Sequence, residues 1–305
     1  MADIVVVGSL NMDLVVKTER MPAGGETVHG EGLKTIPGGK GANQAAAAAK
    51  LGSTVAMVGK VGSDDFGLPL IENLQHQGVD TAYVQVDRET STGTAVIIVD
   101  SSGQNSIVVS LGANGRVIKE DIDACEDVIK EAKILLLQFE IPLDSVAYAM
   151  QIARRHGVKV ILNPAPAKQA SLELLKSADI LVPNEMELQL LTNIPITDEI
   201  TAEEGAKKLL AEGVKVVIVT LGERGALLLT GEKIKFVPAK KVKAVDTTAA
   251  GDAFIGGLAT GLLKGFDLEK AVRYGCAAGT LAVTKFGAQT SLPSAREMEK
   301  FFSKR

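Results

Sequence analysis

Residues 216–219 read Val-Val-Ile-Val, four apolar side chains in succession with no polar residue between them. Successive side chains on a strand point to opposite faces, so this run needs cover on both sides, as in a parallel sheet lying between helices. The pattern recurs along the chain. Residues 4–7, 54–58, 134–138, 159–162, 180–182 and 216–220 are strand-like, and helical periodicity follows most of them, as in 143–155 ahead of Gly157 and 202–212 ahead of Gly213. This rhythm predicts an α/β fold with a central, mostly parallel sheet flanked by helices. Thr201 with Glu204, and Ser294 with Glu297, have the spacing of capping boxes and mark two expected helix starts.

Two stretches depart from the rhythm. Residues 14–17, 27–34, 94–99 and 106–111 have strand character without intervening helices, and the last two flank Asp100-Ser101-Ser102-Gly103-Gln104-Asn105, a hairpin-like connection. We expect a small antiparallel β lid, inserted from about 14–35 and 92–111 into a single domain spanning 1–305. Such a flap has one apolar face and open edges, so it should close over a ligand, pair with a second copy of the chain, or do both. A homodimer through the lid is the resulting expectation.

Composition narrows the functional classes. The 305 residues carry 33 basic against 37 acidic side chains, with no basic run longer than Lys240-Lys241, which leaves no footprint for nucleic acid or an anionic membrane. No apolar run approaches the roughly 18 residues of a membrane span, and the N-terminus shows neither a basic region nor a cleavage site. A cytoplasmic protein acting on a small molecule is expected. Cys125 and Cys276 lie in no CxxC pair, and His29, His76 and His156 share no motif, so disulfide, zinc and Ser–His–Asp chemistry all lack parts.

The segment Val245-Asp246-Thr247-Thr248-Ala249-Ala250-Gly251-Asp252 runs into a small-residue helical stretch. Small residues at a helix start leave backbone N–H groups uncovered in the positive end of the helix dipole, so Ala249, Ala250 and Gly251 can cradle a phosphate-like anion. Asp252 stands where that potential is strongest. This favours its ionised form and suits a general base, although the residue equally suits a plain dipole-complementing acid.

Near the N-terminus, Pro37-Gly38-Gly39-Lys40-Gly41-Ala42-Asn43-Gln44 leads into an Ala-rich helix, with glycines that permit close backbone approach and donors at Lys40 and Asn43. It is not a Walker A loop, which needs Gly where Lys34 stands and Ser or Thr where Gly41 stands. Gly8-Ser9-Leu10-Asn11-Met12-Asp13 after the first strand likewise lacks the dinucleotide fingerprint. Asn11 and Asp13 follow that strand, and Glu140 follows another, at the carboxyl edge where open α/β sheets bind ligands. Asp13 and Glu140 accept from hydroxyl groups and repel phosphate, while Asn11, Lys40 and Asn43 donate. Together they describe an uncharged polyol; singly, each acid also fits a solvated loop. Asn184-Glu185-Met186-Glu187 and Thr220-Leu221-Gly222-Glu223-Arg224-Gly225 follow two further strands at the same edge. With residues 246–252 they form nucleotide-compatible loops, in which Asn184 and Glu187 can order metal-bound water or Asn184 can simply cap a helix.

Taken in order, Ser9-Leu10-Asn11-Met12-Asp13, Gly38-Gly39-Lys40-Gly41-Ala42-Asn43-Gln44-Ala45, Leu162-Asn163-Pro164-Ala165-Pro166-Ala167, residues 245–252 and Val283-Thr284-Lys285-Phe286-Gly287-Ala288-Gln289 resemble the successive signatures of PfkB-type carbohydrate kinases over almost the whole chain. The resemblance implies that Asn11, Asp13, Gly39, Lys40, Asn43 and Glu140 hold sugar hydroxyls and that Asp252 takes the proton from the attacking one. It implies that the amides of Ala249, Ala250 and Gly251 stabilise the γ-phosphoryl in flight. Asn184, Thr220, Gly222, Gly225 and Gly251 would line the ATP site, with Cys276 at the adenine where some members carry His, and Glu187 would help organise Mg²⁺. A monovalent cation, usually K⁺, would bind at Asp246, Thr248, Ala282, Lys285, Gly287 and Ser291, several through carbonyl oxygens. The implied reaction is ATP-dependent phosphorylation of D-ribose at O5. A kinase of another free sugar or of a nucleoside is the alternative within enzymes, and a sugar-binding sensor without turnover is the alternative outside them.

Overall fold

The four side chains of β1 (Ile4–Val7) are fully buried, and the main sheet is built outward from this strand. In the computed structural model, which describes residues 1–303, β1 pairs in parallel with β4 (Val55–Gly62) on one side and β8 (Ile134–Leu137) on the other. Ile4 and Val6 join Met57 and Leu136 in one hydrophobic core, while Val5 and Val7 join Val58, Leu135 and Leu137 in the other. A strand without polar alternates thus feeds two cores at once. β5 (Val79–Asp87) extends the sheet beyond β4, and β9 (Lys159–Leu162), β10 (Ile180–Leu181) and β11 (Val216–Thr220) extend it beyond β8, all in parallel. β12 (Gly225–Thr230) and β13 (Ile234–Pro238) close that end as an antiparallel hairpin and complete nine strands. The strand–helix rhythm does not anticipate these last two.

A separate four-stranded sheet forms the lid, in the order β3 (Gly30–Gly38), β2 (Asn11–Thr18), β6 (Gly93–Val99), β7 (Asn105–Ser110). β2–β3 and β6–β7 are antiparallel as expected, and the two hairpins meet through a parallel pairing of β2 with β6. The lid begins earlier than the pattern of apolar residues indicates: Asn11 and Asp13 lie on β2 itself and pair with Gly38 and Ile36. The strand expected at 27–34 is displaced to Gly30–Gly38 because this register carries β3 directly into the next helix.

That helix, Lys40–Lys50, packs on the helix Ala250–Leu263 so closely that a Cβ added to Gly256 would stand 2.5 Å from Ala47 Cβ. Small residues on both helices permit the approach, and it brings their N-termini together above the sheet's carboxyl edge. The helix expected at 202–212 starts three residues sooner, at Glu199. Its cap is Asp198, whose Oδ1 accepts from Thr201 N at 2.8 Å while Thr201 Oγ1 accepts from Asp198 N at 3.1 Å, so Thr201 is the third helical residue and Glu204 has no capping role. The Ser294–Glu297 box is present as read. Among the described residues no helix is long and apolar enough to cross a membrane.

Candidate active site

Gly39 precedes the Lys40–Lys50 helix at φ 91°, and a Cβ there would lie 2.7 Å from Asn11 N, so only glycine lets β3 turn into this helix against β2. The turn places Lys40, Asn43 and Gln44 on the first helical turn facing three carboxylates. Asp252, on the first turn of the Ala250–Leu263 helix, is buried; its Oδ2 accepts from Asn43 Nδ2 at 3.0 Å and its Oδ1 from Gln44 Nε2 at 3.1 Å. Glu140 Oε2 accepts from Ser9 Oγ at 2.5 Å, from Lys40 N at 3.0 Å and from Asn11 Nδ2 at 3.5 Å. Asp13 completes the cluster from β2. Sequence positions 11 to 252 therefore meet in one cluster.

The electrostatics differ from residue to residue. Burial, followed by the charges of Glu140 and Asp252, pushes Asp13 up to about 7 against the pull of Lys40. Burial also raises Asp252, opposed by Lys40 and by the Asn43 and Gln44 hydrogen bonds. The helix dipole does not by itself keep this carboxylate in its ordinary range, contrary to expectation, because the helix start lies inside the protein. For Lys40, burial acts downward, but the charges of Asp252, Glu140, Glu187 and Asp13 outweigh it and leave the ammonium raised.

The start of the Ala250–Leu263 helix offers fewer free amides than the sequence indicates. Ala250 N donates to Thr247 O at 3.2 Å, so this amide already has a partner, whereas Gly251 borders open space where a Cβ would meet nothing within 4 Å. One acceptor in the cluster also lacks a donor: Asn43 Oδ1 is buried with no hydrogen-bond partner. A buried, unsatisfied carbonyl oxygen beside a carboxylate calls for a hydroxyl or water from the ligand.

The expected nucleotide loops come together at the adjoining edge. Asn184 and Thr220 form a parallel bridge, with Thr220 N donating to Pro183 O at 2.9 Å. Asn184 does cap the helix Glu185–Thr192: its Oδ1 accepts from Glu187 N at 2.8 Å, and Glu187 returns Oε2 to Asn184 N at 2.8 Å and Oε1 to Asn184 Nδ2 at 2.9 Å. Each Glu187 oxygen keeps a lone pair for water. Gly222 faces open space at φ 57°, as a loop approached by a ligand requires, but Gly225 has a structural reason of its own, since at φ 117° its Cβ would strike Val237 O. Cys276 lines a cavity of about 770 Å³ with Pro238, Ala239, Lys240, Ala277 and Phe301. Burial pushes its thiol up to about 12, so it packs and does not react.

Around Asp246, Oδ1 accepts from Thr248 Oγ1 at 2.5 Å and Thr248 N at 3.0 Å, and Oδ2 from Gly287 N at 2.9 Å. Burial acts upward on Asp246, but these bonds from Thr248 and Gly287 outweigh it and hold the carboxyl below its ordinary value. Lys285 N donates to Ala282 O at 3.1 Å, and the Lys285 ammonium pairs with Glu297 at 2.6 Å, which leaves the Lys285 carbonyl as its contribution to any cation. Ser291 is tied through N and Oγ to Ala288 O. The Asp246 carboxylate, held below its ordinary value, is the one anionic group in this loop cluster.

Residues 1–295 match the pfkB family carbohydrate kinase description. The chain belongs to the PfkB family. Among its members it is 41% identical over 298 residues to the ribokinase of Haemophilus influenzae, covering 98% of this chain and 97% of the relative. It is equally 41% identical, over 302 residues and 99% of both chains, to the deoxyribokinase of Salmonella typhi. The structure of Arabidopsis thaliana ribokinase complexed with ribose and ATP superposes with a TM-score of 0.94 at 36% identity, over 100% of this chain and 99% of that one. Five polar residues of this PfkB chain received no role from the sequence, namely Ser9, Gln44, Asn114, Gln138 and Asn163. Asn114 is fully buried and clamps the β1–β2 turn, accepting from Leu10 N and donating to Leu10 O and to Asn11 Oδ1. Ser9, Gln44 and Asn163 stand inside the family motifs, and that position was the signal available for them.

Proposed function

We propose that this chain phosphorylates D-ribose at O5 with ATP, giving D-ribose 5-phosphate and ADP. The observation that carries the proposal is Asp252: a buried carboxylate on a helix's first turn, beside the open Gly251 amide and the unpartnered Asn43 Oδ1. Asn11, Asp13, Gly39, Lys40, Asn43 and Glu140 would bind the sugar hydroxyls. The O5–H bond breaks to Asp252, O5 forms a bond to the γ-phosphorus, and the bond to the bridging oxygen breaks with its electron pair leaving on ADP. Phosphoryl transfer depends on positioning and charge stabilisation, so the lack of a nucleophilic side chain agrees with the reaction. The Gly251 amide and Lys40 supply positive potential where charge builds up, with Ala249 and Ala250 shaping the same helix start. Asn184, Thr220, Gly222, Gly225 and the Cys276 cavity would hold the nucleotide. Mg²⁺, organised through water by Glu187, would neutralise phosphate charge when bound. K⁺ would bind at Asp246, Thr248, Ala282, Lys285, Gly287 and Ser291.

The lid would exclude water from the closed site and pair with a second copy as a homodimer. Support comes from its open edges and from exposed apolar side chains, with Ile107 52%, Val108 71% and Leu33 68% accessible. Two free, buried cysteines suit a reducing location, and we place the enzyme in the cytoplasm.

Because a ribokinase and a deoxyribokinase are equally similar in sequence, the deciding experiment ranks ribose, 2-deoxyribose, fructose and nucleosides by kcat/KM, with and without K⁺. A missing hydroxyl leaves a buried partner unpaired, so ribose should exceed 2-deoxyribose by about ten- to a hundredfold. Preference for another substrate replaces ribose in the proposal, and sugar binding without turnover replaces the kinase with a sensor.

A further inference from the structure

Behind Asp252 lies a chain of amides, buried at Gln44 and Gln138 and half-buried at Asn163, that the reaction above does not use. Gln44 is fully buried; its Nε2 lies 3.1 Å from both Asp252 Oδ1 and Asn163 Oδ1, and its Oε1 accepts from Gln138 Nε2 at 2.7 Å. Asn163 Nδ2 donates in turn to Val182 O at 3.0 Å. A main-chain carbonyl can only accept, so Val182 decides which end of Asn163 faces it and leaves Asn163 Oδ1 toward Gln44. Gln44 must then turn its NH₂ toward Asn163 and Asp252 and its oxygen toward Gln138. The direction of donation is fixed from the backbone just after β10 through to the carboxylate.

The other oxygen of Asp252 is held differently. Asn43 Nδ2 meets Oδ2 at 3.0 Å, but Asn43 Oδ1 is without a partner, so no second contact fixes the sense of that amide. Oδ1 always faces a donor. Oδ2 faces a group able to present either N–H or C=O.

We propose that Gln44 is a positioning residue, which holds Asp252 Oδ1 and thereby assigns Oδ2 as the oxygen that takes the sugar proton; this rests on Asp252 being the base. The charged groups around Asp252 are Lys40 from the same helix as Gln44, Glu140 after β8, Glu187 from the Glu185–Thr192 helix and Asp13 from β2. None of them is altered by changing Gln44.

The test is a set of pH profiles of kcat and kcat/KM for Gln44→Met, Asn163→Ala, Asp252→Asn and the unmodified enzyme. Gln44→Met keeps length and burial but removes the N–H, and kcat should fall about 10- to 100-fold while the sugar KM stays within about threefold. The lost donor had favoured the ionised carboxylate, so the acid limb of kcat should move up by about half a pH unit or more. Asn163→Ala frees the Gln44 amide to turn and should move the limb the same way by less; it carries the test if Gln44→Met does not fold. An unmoved acid limb in the folded variant, or a loss confined to sugar KM, overturns the proposal. Asp252→Asn separates the two ideas: turnover retained there removes the base itself, whereas an inactive Asp252→Asn beside an unmoved limb in Gln44→Met removes only the role of Gln44.

Discussion

Asp13 and Asp252 share one cluster and one side-chain type, yet only Asp252 is held by two amide donors. Burial raises both carboxylates, and Asp13 is pushed up to about 7. Accepting hydroxyl hydrogens favours its ionised form, so sugar binding near pH 6 should release protons. Calorimetry in buffers of different ionisation enthalpy should show the release, and Asp13→Asn should abolish it. The same group sets a stability trend. Its folded pKa lies above the ordinary 3.8, so between about pH 4 and 7 the folded chain binds more protons than the unfolded one, and this contribution to stability falls as pH rises. For Asp252, replacement by Asn should cost about 10²–10⁴-fold in turnover while sugar affinity remains measurable by titration.

At the scale of elements, most starts and stops follow from local chemistry, and one miss is instructive. Ser294–Glu297 is a capping box, whereas Thr201–Glu204 has the same spacing and is not. Asp198 lies three residues upstream and caps at least as well as Thr, so the helix gains most of a turn by starting there. Asp198→Ala should lower unfolding free energy by about 1 kcal/mol in urea melts, with Glu204→Ala within about 0.5 kcal/mol of the unmodified chain. Equal losses in both would return the cap to Thr201. The lid strands show the opposite difficulty. Their residue types are plain in the sequence, but residues 30–38 are nearly all exposed or half-exposed, and with no buried face to set the register, pairing with β2 decides their limits.

For the whole molecule, the meeting of two helix N-termini matters more than either alone. It depends on packing as close as that of Gly256 against Ala47, between segments more than 200 residues apart in sequence. The lid adds a second long-range question, because all six residues of its edge strand β7 are exposed. Val108→Glu should convert a dimer to a monomer in light scattering at working concentration, and a monomeric unmodified chain would remove the dimer from the proposal. Salt should affect that association little, since the exposed side chains are apolar.

The sequence by itself determined the parallel centre of the sheet, because wholly apolar strands admit few arrangements, and it placed Glu140 past a strand end and Lys40, Asn43 and Asp252 at helix starts, whereas Asn11 and Asp13 lie on β2. Such strand ends and helix starts are local properties, legible from residue type and spacing. Only the tertiary structure decided that Ala250 N is already bonded, that Gly225 is required by its own hairpin, and that Gln44 and Asn163 stand in line behind Asp252. Each of these is a pairing between groups, and a hydrogen bond's partner and direction depend on what the folded chain brings within about 3 Å, which no window of sequence contains.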